Sequence, residues 1–405
     1  MKTTLLFLSV FLSASLFGQN VYIPDANFKQ YLVGNSAINT NGDTEIQLSE
    51  ASAFTGTIDC FNQNISDLTG IEAFTALTEL YCGYNQLTSL DVSQNLTLEQ
   101  LLCDYNQLTS LDVSQNTALT EFGCAVNNLT SLDVSQNTAL FYFGCRSNEL
   151  TSLDVSQNTA LITLDCRYNQ LTSLDVSQNT ALTILRCHNN QLTSLDVSNN
   201  TALTHLLCSG NQLTSLDVSQ NTALTYLQCV NNQLTSLDVS QNIALGALFC
   251  SGNQLTSLDV SQNTALVNLE CVGNQLTSLD VSQNTALTEL RCNGNQLTCL
   301  NIANGNNNNF YTLVAHTNPN LTCIEVDNAP FSAFDWTYVD PQTTFSEDCN
   351  NDCSPSTVGI NELTTSKNLI QILDMMGRET SFKPNTPLIY VYDDGSIEKV
   401  FSVEY

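Results

Sequence analysis

Leu161-Ile-Thr-Leu-Asp-Cys-Arg-Tyr-Asn-Gln170 runs directly into Leu171-Thr-Ser-Leu-Asp-Val-Ser-Gln-Asn-Thr-Ala181, and this 21-residue unit returns in step along most of the chain. Both halves read Leu-x-x-Leu-x-apolar-x-x-Asn. Apolar residues two apart, Leu164 with Cys166 and Leu174 with Val176, have the period of a strand. Neither half leaves room for a helix after its strand. A fixed period of about 20–50 residues marks a solenoid, in which each coil buries its apolar face by stacking on its neighbours. The expectation is a mainly β solenoid with two short parallel strands per coil, and therefore two parallel sheets.

Cysteine keeps the same period from Cys82 to Cys292, and Cys60 begins the column. Each takes the apolar place in Leu-x-x-Leu-x-Cys. Stacked strands lie about 4.8 Å apart, whereas a disulfide wants Cβ atoms about 3.8 Å apart. The column is therefore expected to be a buried ladder of thiols packing as small hydrophobes. Two asparagine columns, Asn85 to Asn295 and Asn95 to Asn284, sit where the chain turns after each strand. Their amides suit turn backbone and can bond the next coil.

The pattern resembles the leucine-rich repeat family, whose signature is Leu-x-x-Leu-x-Leu-x-x-Asn-x-Leu. Eleven units over residues 77–297 carry the match, in a 21-residue form similar to that of bacterial surface proteins. The resemblance implies a leucine-rich repeat solenoid used to recognise protein or glycan; fold alone does not prove that use.

The second half of each coil is nearly constant, so the first half is where a partner would be read. Its variable positions hold Tyr81, Tyr84, Tyr105, Tyr142, Arg146, Arg167, Tyr168, Arg186, His205, Tyr226, Phe249 and Arg291. Most should point outward, and aromatics and arginine are the residue types of interface hot spots. The competing reading is unconstrained drift on an exposed surface. The constant half presents an outward column of aspartates from Asp91 to Asp280. Carboxylates about 5 Å apart repel by roughly 0.8 kcal/mol in water. Either cations such as Ca²⁺ bridge the rungs, giving a calcium-stabilised spacer, or the carboxylates are solvated and discourage sheet-to-sheet aggregation.

Residues 19–76 read as an N-terminal cap, with a helix starting near Asp25. The loop Asn39-Thr-Asn-Gly-Asp-Thr-Glu-Ile-Gln-Leu-Ser-Glu50 resembles an EF-hand calcium site, with Asn39, Asn41, Asp43, Glu45 and Glu50 as its oxygens. It departs from that pattern in having Asn first and Thr44 at the turn glycine. Ca²⁺ is the one cofactor the sequence offers. The alternative is a turn joining cap helices. Residues 298–353 read as the C-terminal cap, sealed by Trp336. Cys299 and Cys323 replace the same serine in successive coils, and a bridge between them is one expectation. With Cys349 and Cys353 they allow three pairings.

The chain opens with Lys2, an apolar run from Leu5 to Phe17 and Gly18, the pattern of a secretory signal over residues 1–18. Residues 354–365 read as a linker. Residues 366–405 carry strand patterns and an Asp394-Gly395 turn, and with Asp374, Gly377, Arg378, Gly395 and Lys399 they resemble the sorting domain of the Bacteroidetes type IX secretion system. That resemblance implies a small antiparallel β module, the type IX machinery as a partner, and release or surface attachment outside the cell. No run is long enough to span a bilayer. A net charge of −29 with ten Lys or Arg argues against nucleic acid as a partner.

No nucleophile elbow, His-Glu-x-x-His or phosphate loop is present. The remaining enzyme reading is a polysaccharide lyase or hydrolase using Asp104 or Asp165 beside Arg146 and Arg167. Such a site should interrupt the repeat, and the first ten coils carry no insertion. The sequence therefore points to a non-enzymatic recognition or adhesion protein.

Overall fold

Alternation within each first half-coil produces a three-residue strand whose middle residue enters the core. Leu80, Leu101, Phe122, Phe143 and Leu164 are such residues, all fully buried. A computed structural model of the chain describes residues 19–350, 353, 369–374, 378–381, 388–392 and 397–400. The signal segment 1–18, the linker 354–365, Gly377 and the Asp394-Gly395 turn lie outside the described residues. The chain divides into two units, Met1–Pro355 and Ser356–Tyr405.

In the first unit the strands run in chain order from Thr57–Asp59 to Thr312–Val314 and form one 13-stranded parallel sheet. Over the repeats each residue pairs with its equivalent one coil on: Leu101 with Phe122, Phe122 with Phe143, Phe143 with Leu164. The cysteines Cys60 to Cys292 are all unbridged and buried, as the spacing argument expected. Burial lifts their thiols, Cys229 and Cys292 to about 12.

Asparagines tie the coils together. Asn106 donates through Nδ2 to the carbonyls of Cys82 (3.0 Å) and Cys103 (3.1 Å), and its Oδ1 accepts from Leu87 N–H (3.0 Å). In the second column Asn116 donates to the carbonyls of Val92 and Asn95, both at 2.9 Å. The first column thus satisfies turn groups of its own coil and of the preceding one, and the second column those of the preceding coil, which buried polar backbone requires.

The second sheet corrects the expectation of two strands in every coil. It has four parallel strands, Ser278–Asp280, Cys299–Asn301, Cys323–Glu325 and Thr344–Ser346, all at the C-terminal end. Earlier coils keep Leu and Val buried at the same positions without ladder pairing. The sheet begins where the aspartate column ends, with Asp280 opposite Asn301. In the column before it each aspartate Oδ1 accepts from the N–H two residues on, as Asp112 does from Ser114 at 2.9 Å, and that bond holds the carboxyl below its ordinary value. Exposed backbone in the Thr-Ser-Leu-Asp segments can bond water instead.

At the N-terminal end, helix α1 (Ala26–Gly34) starts on Asp25, whose Oδ1 accepts from Asn27 and Phe28 N–H. Helix α2 (Leu48–Ala53) follows the acidic loop. At the other end Trp336 is buried against Phe310, Phe331 and Phe345, just after helix α3 (Ala329–Asp335). The bridge Cys299–Cys323 does not form. The pairs are Cys299–Cys353 and Cys323–Cys349, with Cα atoms 5.3 and 5.9 Å apart. Register sets Leu300 beside Ile324, so Cys299 and Cys323 are rung neighbours. The strand spacing that keeps the thiol ladder open keeps them apart, and each takes a partner from the segment after Thr344–Ser346.

The second unit holds a three-stranded antiparallel sheet, Leu369–Asp374, Leu388–Tyr392 and Ile397–Val400. Val391 pairs with Ile397, as a hairpin requires. No helix among the described residues is long and apolar enough to cross a membrane.

Candidate functional site

Strand alternation turns the first and third residues of each triplet outward. By register, one outward column reads Tyr81, Leu102, Gly123, Gly144, Asp165, Arg186. The two glycines leave a gap in an otherwise continuous row of side chains. A Cβ on Gly123 would meet Asp104 Oδ2 and Leu102 Cδ2 at 3.0 Å, and one on Gly144 would meet Tyr142 Oη at 3.0 Å. Behind each glycine, phenylalanine replaces the core leucine. The rings of Phe122 and Phe143 stack 5.5 Å apart, so volume moves inward where it is lost outside. The result is a groove of about 480 Å³ bounded by Phe61, Tyr81, Tyr84, Leu102, Tyr105, Ala125 and Tyr142, with Asp59, Asp104, Asp165 and Arg146 among its polar lining.

One wall is aromatic. Tyr84 and Tyr105 stack at 4.0 Å, and Phe61 lies 5.0 Å from Tyr84. The Arg146 guanidinium stands 5.7 Å from the Tyr105 ring centre, and its Nη2 donates to Tyr105 Oη at 3.4 Å. Tyr81 donates to Glu79 Oε2 at 3.0 Å; burial and the Glu79 carboxylate push its hydroxyl up to about 12.

The carboxylates are not simple surface charges. Burial raises Asp104 above its ordinary value, against the Ala125 N–H (2.6 Å) and Arg146, which favour the anion. Burial likewise raises Asp165, with Arg167 the main opposing charge. Asp165 stands in the outward column yet is only 4% exposed, covered by its neighbours on the face. Its Oδ1 lies 3.2 Å from Arg167 Nε. The contact is an ion pair whose alignment is not that of a hydrogen bond, so both atoms stay without one, as does buried His188 Nδ1. Burial, then Arg167 and Arg186, pushes His188 down to about 4.

A backbone feature escaped the sequence reading. The second residue after each cysteine occupies the left-handed region: Asn62, Tyr84, Tyr105, Val126, Ser147, Tyr168 and Asn189 have φ of 54–55°. In later coils the position belongs to Gly210, Asn231, Gly252, Gly273 and Gly294. Glycine and asparagine are the residues this conformation favours, and their recurrence in the later coils was the signal. The groove end of the solenoid instead places tyrosine and valine there.

Of the twelve expected face residues, Tyr81, Tyr84, Tyr105, Tyr142 and Arg146 come together in the groove. Arg167, Tyr168 and Arg186 lie on the coils that follow, with Tyr168 edge-on to His188 at 5.4 Å. His205, Tyr226 and Phe249 form a separate stack at 5.7 and 5.4 Å. Arg291 is held by Glu289 (2.8 Å) and Glu270 (3.4 Å). Gly123, Gly144, Leu102 and Phe61 belong to the groove and were missed, because a list of large residues does not record a hole.

In the acidic loop the oxygens serve the loop itself. Glu50 Oε1 accepts from Thr40 N–H (2.8 Å), Thr40 Oγ1 (2.9 Å) and Asn41 N–H (3.1 Å), and its Oε2 from Gln47 N–H (3.0 Å). Asn39 Oδ1 accepts from Gly42 N–H, and Asp43 Oδ1 from Glu45 N–H. Glu45 binds Lys29 Nζ at 2.6 Å.

No protein-family model matches the sequence. Among solved structures, the functional domain of InlJ from Listeria monocytogenes, described as including a cysteine ladder, is 31% identical, with a TM-score of 0.69 over 95% of this chain and 98% of that one. An internalin, InlF, from the same species is 20% identical with a TM-score of 0.57 over 84% of this chain and all of that one, a likeness of fold. Internalin J of Listeria monocytogenes is 40% identical over 76 residues, which take in 19% of this chain and 8% of that protein's length. On the strength of the InlJ match, with its shared ladder of cysteines, the chain belongs to the internalin-like leucine-rich repeat family.

Proposed function

We propose that the chain is an exported, non-enzymatic recognition or adhesion protein that binds a protein or glycan outside the cell through the variable face of its 13-stranded sheet. The observation that carries this reading is the gap at Gly123 and Gly144, walled by aromatics on a scaffold otherwise filled at every rung. Binding rather than catalysis is favoured because Asp165 faces Arg167 and Asp104 accepts a backbone N–H, which leaves neither placed as a ready base. The test is binding of the full chain to arrayed extracellular proteins and glycans, beside a variant carrying Tyr84→Asn, Tyr105→Asn and Gly144→Gln. Asn189 and Gln228 already occupy the equivalent positions in other coils, so the fold should survive. Loss of binding by a variant that melts no lower than the parent supports the reading; equal binding by the variant overturns it.

Export belongs to the same proposal. Residues 366–405 act as a type IX sorting module, a reading supported by the antiparallel sheet and by Asp374, Arg378 and Lys399 on it or beside it. A chain lacking residues 366–405 should stay inside the outer membrane of a type IX host, and its appearance at the surface or in the medium would overturn the assignment.

A further inference from the structure

The chain carries ten Lys or Arg against a net charge of −29, and between residues 30 and 290 the only ones are Arg146, Arg167 and Arg186. They fall on three consecutive coils of the variable face, beside the groove. From this placement we infer that the partner is a protein segment with an apolar side chain seated in the gap at Gly123 and Gly144 and a carboxylate three or four residues away, set against Arg186. The inference rests on the recognition reading above and gives it a chemistry.

Spacing follows from the register. Gly123, Gly144, Asp165 and Arg186 are successive members of one column. The centre of the gap is two and a half rungs from Arg186, or about 12 Å at a rung of about 4.8 Å. An extended chain rising about 3.3 Å per residue covers that in three or four residues. The polarity follows from charge. The groove lining sets Asp59, Asp104 and Asp165 against the single cation Arg146, so a further carboxylate would be repelled there and the gap takes the apolar group. Arg146 is turned onto Tyr105 and Arg167 is paired with Asp165, so Arg186, which makes no ion pair among the described residues, is the cation left to answer an acid. The rest of the negative surface is screened beyond about 8 Å in physiological salt, so contact charges dominate. A saccharide fits less well: Tyr84 and Tyr105 lie against each other at 4.0 Å, which occupies ring faces that a sugar would stack on.

The experiment is selection from a random 12-residue peptide library on the immobilised full chain, followed by anisotropy with the selected peptides, and parallel binding of polygalacturonate and heparin. Enriched peptides should pair a Phe, Leu, Met or Trp with an Asp or Glu three or four positions off. Arg186→Gln and Gly144→Gln should each weaken them about fivefold or more, while Asp217→Asn on the constant face changes nothing. Tyr226-Leu-Gln228 already combines a tyrosine with glutamine at these two positions of one coil, so the Tyr142 ring can turn aside and both glutamine variants should stay folded. Peptides lacking a carboxylate, or indifferent to Arg186→Gln, would overturn the inference. If binding instead depends on His205 and Tyr226, or if only the acidic polysaccharides bind, this inference falls while recognition by the variable face stands. If neither peptides nor polysaccharides bind, both fall.

Discussion

Tyr84 and Tyr105 stack their rings at 4.0 Å while both hold a φ of 55°, so the aromatic wall of the groove is built on left-handed turns. For a side-chain-bearing residue that conformation costs about 1–2 kcal/mol. Strain of this kind persists where surrounding contacts hold it and clusters at functional sites.

Val126 takes the same turn between the two groove glycines with no stacking partner, and β-branched residues are least suited to it. Val126→Asn should therefore raise the urea midpoint, by about 0.5–1 kcal/mol in stability. A midpoint that stays put or falls would show the turn to be unstrained.

The thiol ladder makes the solenoid sensitive to alkali. Burial raises each folded-state thiol above its ordinary value, to about 12 at Cys60, Cys229 and Cys292, so the native state holds its protons after the unfolded chain has released them. The contribution is full below about pH 8.5 and is lost as pH rises toward the folded values, at about 1.4 kcal/mol per thiol per pH unit. Urea midpoints should fall steeply from pH 8.5 to 10, and less steeply in Cys208→Ala. Equal slopes in the two proteins would refute the mechanism.

Reduction should loosen one end of the solenoid. Cys299–Cys353 and Cys323–Cys349 tie strands of the second sheet to the segment that follows it, closing loops of 54 and 26 residues. Loops of that length correspond to about 3–4 kcal/mol each in the chain-entropy account. Dithiothreitol should speed amide exchange in Cys299–Asn301 and Cys323–Glu325 and leave Gln100–Leu102 unchanged. Uniform acceleration, or none, would contradict the bridges.

Glu50 accepts four hydrogen bonds within the acidic loop, from Thr40, Asn41 and Gln47. Burial raises its carboxyl, but the N–H groups of Gln47, Asn41 and Thr40 outweigh burial and hold it below its ordinary value. Its contribution is present above about pH 4.3 and lost as pH falls through the lowered folded value. Glu50→Gln should cost about 1–2 kcal/mol, and calcium and chelator should give one melting curve. A clear rise with calcium that Glu50→Gln abolishes would instead make the loop a calcium site.

Repetition is what made the scaffold legible. Cys166 and Asn169 meet the same neighbours as Cys145 and Asn148, so one coil's pattern fixes them all. The remaining features depend on differences between coils. Strand propensity could not limit the second sheet, because Ser257-Leu-Asp259 and Ser278-Leu-Asp280 are the same sequence and only the second is in a strand. Tyr142 and Arg146 were visible as candidate face residues, but Gly123 and Gly144 are informative through what they lack. Cys299 could not be paired from spacing, since its partner depends on the path of the chain after Ser346.

Asn169 bonds the carbonyl of Cys145 one coil back and that of Cys166 in its own coil, and every equivalent asparagine does the same. Excising residues 151–171 would rejoin Leu150 to Thr172 in the sequence context that Leu150 and Thr151 have now. Gly144 would then neighbour Arg186, and Asp165 would be gone. Nearly identical tandem units in a gene invite such exchanges. The spacing of side chains on the variable face can therefore change by whole steps of one coil, each new spacing arriving on a scaffold that already folds.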